Sequence, residues 1–129
     1  MTDEDTSERD EMKRRFSQYS RYGRKFDKAI ETVLSRGVKE SRFSPSGRRL
    51  LTVVGVLGEE FIDPEKPYCS CSNFHFRVMT GKEGTCYHLL SFAIASKAQK
   101  VDVISFDDEE FGPLTRAVFN DVYTVMNSG

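Results

Sequence analysis

Two short stretches, Tyr68-Cys69-Ser70-Cys71-Ser72-Asn73-Phe74-His75-Phe76 and Cys86-Tyr87-His88-Leu89-Leu90, hold all 3 cysteines of the chain and both of its 2 histidines. Side chains two apart on an extended strand share a face, so Cys69 and Cys71 can offer both sulfurs to one ion without bending the backbone. Cys86 and His88 repeat that interval at the mouth of an apolar segment that reads as a helix, where unpaired amides and the helix dipole favour a thiolate. Three thiolates and one imidazole form a closed tetrahedral set, the donor chemistry of a structural zinc ion with no position left for water. One structural zinc on Cys69, Cys71, Cys86 and His88 is therefore the expected cofactor. The competing reading, three buried apolar cysteines and a core histidine, gives no reason for the shared spacing.

Working outward from these ligands, the segment from Tyr87 to about Gln99 is apolar on most sides and predicts a central buried helix. Ser72 is a candidate N-cap for a short helix from Asn73 to about Met79. Upstream, Val38 to Phe43, the turn Ser44-Pro45-Ser46-Gly47, and Leu50 to Leu57 predict an antiparallel hairpin. Phe61, Ile62 and the stretch Pro67 to Cys71 supply a third, irregular strand ending on the first cysteine pair. Downstream, Val101 to Phe106 reads as a strand or extended linker. A last helix over 107–126 follows, with Pro113 suited to an early position.

Before the sheet, Met12, Phe16, Tyr19, Gly23, Phe26, Ile30 and Val33 recur at alternating intervals of four and three, the period of one helical face. A helix over 12–36 follows, which Gly23 weakens by about 1 kcal/mol relative to alanine and is able to split. Residues 1–11 carry six acids against one base and read as a disordered acidic tail. The expected whole is an α+β fold: one domain over 12–129, with a small antiparallel sheet and a zinc-bound ββα core (38–100) flanked by N-terminal and C-terminal helices.

The chain of 129 residues is 38% hydrophobic and 30% charged, a modest apolar content that gains from a metal staple. It contains no apolar run of about 18 residues and no signal-like opening, so the expectation is a soluble intracellular protein, cytoplasmic or nuclear, without membrane contact. No Ser/His/acid set, phosphate-binding glycine loop or paired-carboxylate motif appears, and no catalytic residue is expected.

The pattern Cys-x-Cys, then Cys-x-His running into an apolar helix, resembles a SWIM zinc finger. The two stretches are similar to those of the small stand-alone SWIM proteins, among them the SWIM-domain subunit of the Shu recombination complex and its archaeal relatives. The resemblance covers Val38 to about Ala98, and it implies that the four ligands hold zinc. It also implies a partner, a paralogue of the RecA-type recombinase, and a role in homologous recombination and DNA repair. Where the recombination branch usually has alanine, three residues after the histidine, this chain has Ser91. His75, between the ligand pairs, is expected to lie outside the metal set.

Two further surfaces follow from the residues themselves. Arg14, Arg21, Lys25 and Lys28, interleaved with Tyr19 and Tyr22, have the chemistry to contact phosphates and stack on exposed bases, which offers a surface for single-stranded DNA. The same bases also read as a solvated helix face. Leu114, Phe119, Tyr123 and Met126 on the last helix offer a protein-docking surface, or simply cover the sheet. A stand-alone nucleic-acid-binding regulator is thus the alternative to a recombinase adaptor.

Overall fold

Apolar side chains alternate along residues 38–62, so that Val38, Val53 and Ile62 point to one side of the sheet, and Phe43, Leu50 and Phe61 to the other. The computed structural model, which describes residues 3–55, 58–71, 73–81 and 84–118, builds a separate core on each face. Five strands make the sheet: β1 (Val38–Ser44), β2 (Arg49–Gly55), β3 (Gly58–Asp63), β4 (Tyr68–Cys69) and β5 (Asp102–Asp107), in the order β4-β3-β2-β1-β5. The fold is α+β, and the expected hairpin is present as β1 and β2 in antiparallel register.

The sheet is mixed, which corrects the expectation of an antiparallel one: β5 runs parallel to β1, with Lys39 beside Asp102 and Ser44 beside Asp107. The cause lies in the central helix α3 (Tyr87–Ala98), which touches β4, β3, β2 and β1. It carries the chain across one face and releases it at the end where β1 begins. A strand entering there runs with β1, as crossover connections require. The single irregular strand expected at Phe61 to Cys71 is two strands, β3 and β4, joined through residues 64–67. Ser70 fastens the junction, its amide donating to the Phe61 carbonyl at 3.0 Å and its Oγ accepting from the Phe61 amide at 2.9 Å.

The long N-terminal helix is three pieces: α1 (Asp3–Arg15), a 3-10 segment (Ser17–Tyr22) and α2 (Arg24–Leu34). Gly23 makes the break, at φ 60° and ψ −120°, a conformation that side chains with a Cβ rarely adopt. Helix α2 buries Phe26, Ala29, Ile30 and Val33, the 3.6-residue stripe read from the sequence. Residues 3–11, expected as disordered tail, are helical. Tertiary partners account for this: Arg9 pairs with Glu31 at 2.5 Å, Lys100 with Glu8 at 3.2 Å, and Met12 is buried in the core. None of these contacts has a signature in local sequence.

The first core joins α1, α2 and α3 to the sheet through Met12, Phe16, Phe26, Ile30, Val33, Val38, Val53, Ile62, Leu90 and Ile94, and it takes in all three cysteines. The second is smaller and almost entirely aromatic at its centre. Phe43 stacks on Phe106 at 5.5 Å and meets Phe111 edge-on at 4.9 Å, with Leu50, Phe61, Leu114 and Val118 around them. Residues 111–118 are helical (α4), entered through a 3-10 turn (Asp108–Glu110) whose capping box pairs Asp107 with Glu110. Leu114 therefore packs on the sheet, while Phe119, Tyr123 and Met126 lie outside the described residues. Among the described residues no helix is long and apolar enough to cross a membrane.

Candidate metal centre

Strand β4 ends on Cys69, and Cys71, two residues on, brings its sulfur to the same cluster, as expected for a two-residue interval. A π-helical turn (Phe74–Val78) then leads away, its start held by the Phe74 amide, which donates to Cys71 Sγ at 3.3 Å. The short helix expected there, Asn73 to Met79, takes this wider form, and its proposed cap Ser72 lies outside the described residues. The return brings Cys86 to the N-cap of α3 in an extended conformation (φ −98°, ψ 164°), with His88 in the first turn. Ligand-type atoms of Cys69, Cys71, Cys86 and His88 lie within 4.8 Å of one another, and all four residues are buried.

Three observations show that this cluster can hold a metal ion. The donor set is three sulfurs and an imidazole, a combination that suits a soft or borderline cation. His88 Nδ1 is buried without a hydrogen-bond partner among the described residues, a state costing about 1–3 kcal/mol that bonding to a cation removes. The sulfurs also cannot all ionise unaided. Hydrogen bonds to Cys71 and Cys86, then burial, push the Cys69 thiol far up. Cys71 is drawn down by its bond with Cys69, but Cys86 and burial outweigh this and leave it at about 12. Cys86, bonded by both other thiols, is held well below the ordinary thiol range. Burial and mutual proximity thus oppose ionisation of all three sulfurs together, and a divalent cation would supply the charge that offsets this.

The surroundings fit the ligands closely. Tyr87 lies with its ring 4.0 Å from that of His88, and Lys28 Nζ stands 5.4 Å from the centroid of the Tyr87 ring. Ser91 is fully buried and donates its hydroxyl to the Tyr87 carbonyl at 2.6 Å, one turn back, so serine satisfies its polar atom where an alanine needs no partner. Gly55, at the end of β2, closes the other side. A Cβ on it would lie 2.9 Å from His88 Nε2 and nearer still to Tyr87 Oη. Gly55→Ala is accordingly expected to displace the His88 ring and weaken metal binding about tenfold or more, read by competition with a chromophoric chelator; unchanged affinity would show that the ring does not need this space. Sequence reading did not single out Gly55, whose role depends on strand β2 passing the start of α3.

His75 is outside the cluster. Its ring is half-buried, edge-on to Tyr68 at 5.7 Å, with Tyr68 Oη 3.4 Å from Nε2.

The basic stripe is dispersed by the fold. Lys25 donates to the Thr85 carbonyl at 2.5 Å, Lys28 covers Tyr87, and Tyr19 is occupied by Lys97, whose Nζ donates to its hydroxyl at 2.7 Å. Arg21 bonds Tyr22 Oη at 3.0 Å, and both tyrosines pack against the first core. Arg14, Arg21 and Lys28 remain exposed. Much of this surface thus anchors the N-terminal pieces to the loop and helix that carry Cys86. No family model matches the chain, and neither a curated protein nor a solved structure does.

Proposed function

We propose that this chain is a zinc-binding SWIM-type module that acts as an adaptor, partnering a RecA-family recombinase paralogue in homologous recombination, without catalytic chemistry of its own. The buried Cys3His cluster carries the reading: it offers four protein donors, the number that fills a tetrahedral structural zinc site and would leave no coordination position for a substrate. The partner class rests on the resemblance of the two ligand stretches to stand-alone SWIM proteins. Zinc, when bound, supplies a cross-link between β4 and α3. The residues do the rest: Cys69, Cys71, Cys86 and His88 hold the ion, and Gly55, Tyr87 and Ser91 keep the imidazole in place.

The alternative, a stand-alone nucleic-acid-binding regulator, draws less support from the molecule, because Tyr19, Tyr22 and Lys25 already have partners within the fold, although Arg14, Arg21 and Lys28 are exposed. Affinity purification of the tagged chain with mass-spectrometric readout, with and without nuclease, separates the two. Recovery of a RecA-family paralogue that survives nuclease is the expected result. Partners recovered only when nucleic acid is intact, or none, would reject the adaptor reading.

A further inference from the structure

Among the described residues β5 has a neighbouring strand on one side only, β1, and its other edge is open. The pairing with β1 is continuous from Asp102 to Asp107, without a bulge to twist the strand away. Its middle residues are apolar and exposed: Val103 is 49% accessible on one face of the sheet and Ile104 38% on the other, and Ser105 is exposed beside them. Open edges of this kind are ordinarily blunted by an inward lysine, a proline, a bulge or a very short strand. The opposite edge follows that rule, since β4 has only two residues. β5 uses none of these devices, and it presents a row of unpaired backbone groups flanked by apolar side chains.

We infer that the outer edge of β5 is a docking site for an extended segment of another protein, apolar at alternate positions and carrying a basic residue at the end that meets Asp107. Charge selects this occupant. Asp107 and Glu109 are exposed, and Asp108 and Glu110 are bonded only by uncharged donors: the Ser46 amide and hydroxyl for the first, the Asp107 amide for the second. Among the described residues none of these four carboxylates is in an ion pair, and all four sit at one end of the strand. At the other end Asp102 has a single base, Arg36, at 3.6 Å. A second copy of this chain paired antiparallel would set Asp102 of each strand against Asp107 of the other, with the rest of the acidic cluster alongside, an arrangement that like charges oppose. A strand with a basic end meets no such opposition, and its backbone completes the ladder.

The site is independent of the metal and of the recombinase reading, and its test separates it from both. The probe is a fluorescein-labelled peptide, Lys-Val-Thr-Ile-Thr-Val-Lys, titrated with the full chain as purified and read by anisotropy. Saturable binding is expected, at least tenfold tighter than that of the same peptide with glutamate at both ends. Methylating alternate amides of the peptide so that one edge cannot donate should remove binding, with the protein left untouched. The double variant Val103→Lys, Ile104→Lys should weaken it at least tenfold without changing the melting temperature. Absence of binding, equal binding of the acidic-ended peptide, or indifference to amide methylation overturns the inference. So does a dimer in sedimentation that the double variant dissociates, which would make a second copy the occupant.

Discussion

His88→Ala is expected to abolish the cooperative thermal transition of the chain, and a strong chelator to do the same to the unaltered protein. Structural zinc in small peptides contributes roughly 10–16 kcal/mol near neutral pH. Whole domains are typically stable by only about 5–15 kcal/mol. The ligands here sit inside the first core, with Cys69 and Cys86 fully buried, so losing the ion strands three sulfurs and an imidazole among apolar side chains. It also uncouples β4 from α3, the helix that spans the sheet. Circular dichroism during heating, with metal content measured by native mass spectrometry, reads both effects. His75→Ala is the control: His75 is outside the cluster, and its loss should change melting little and leave the metal content as in the parent. A His88→Ala protein that melts within a few degrees of the parent would remove zinc from its structural role.

The second core predicts a large effect of a different kind. Phe43→Ala is expected to cost about 3–5 kcal/mol, the usual range for truncating a buried phenylalanine. Phe43 is 1% exposed and holds Phe106 and Phe111 together, so truncation leaves β5 and α4 without their common contact. Because this cluster lies on the face away from the ligands, metal stoichiometry should not change. Denaturant unfolding at saturating zinc reads the loss, and a change below about 1 kcal/mol would mean that the second face adds little to stability.

The ligand quartet was the most legible part of the molecule, since spacing alone places Cys69 beside Cys71 and puts Cys86 and His88 at a helix start. The hairpin and the buried stripe of α2 were legible for the same reason: their periods are local. What escaped was long-range. Residues 101–106 are apolar at Val103, Ile104 and Phe106, on both faces, so alternation could not name a side, and a parallel partner 63 positions away in register leaves no trace in the pattern. The helicity of residues 3–11 depends on Glu31 and Lys100, and the dispersal of the basic stripe on Thr85, Tyr87 and Lys97. The role of Gly55 appears only when the strand it ends is seen passing under an imidazole.

The parallel seam between β1 and β5 also sets an order of events in folding. The antiparallel run from β1 to β4 joins near neighbours in sequence, whereas β5 must return past the whole ligand-bearing segment, and closing so long a loop delays its pairing. During synthesis all four ligands leave the ribosome before β5 does. An ion taken up by the quartet would therefore be captured while the sheet still ends at β1, and the last strand would dock onto a nucleus already tied.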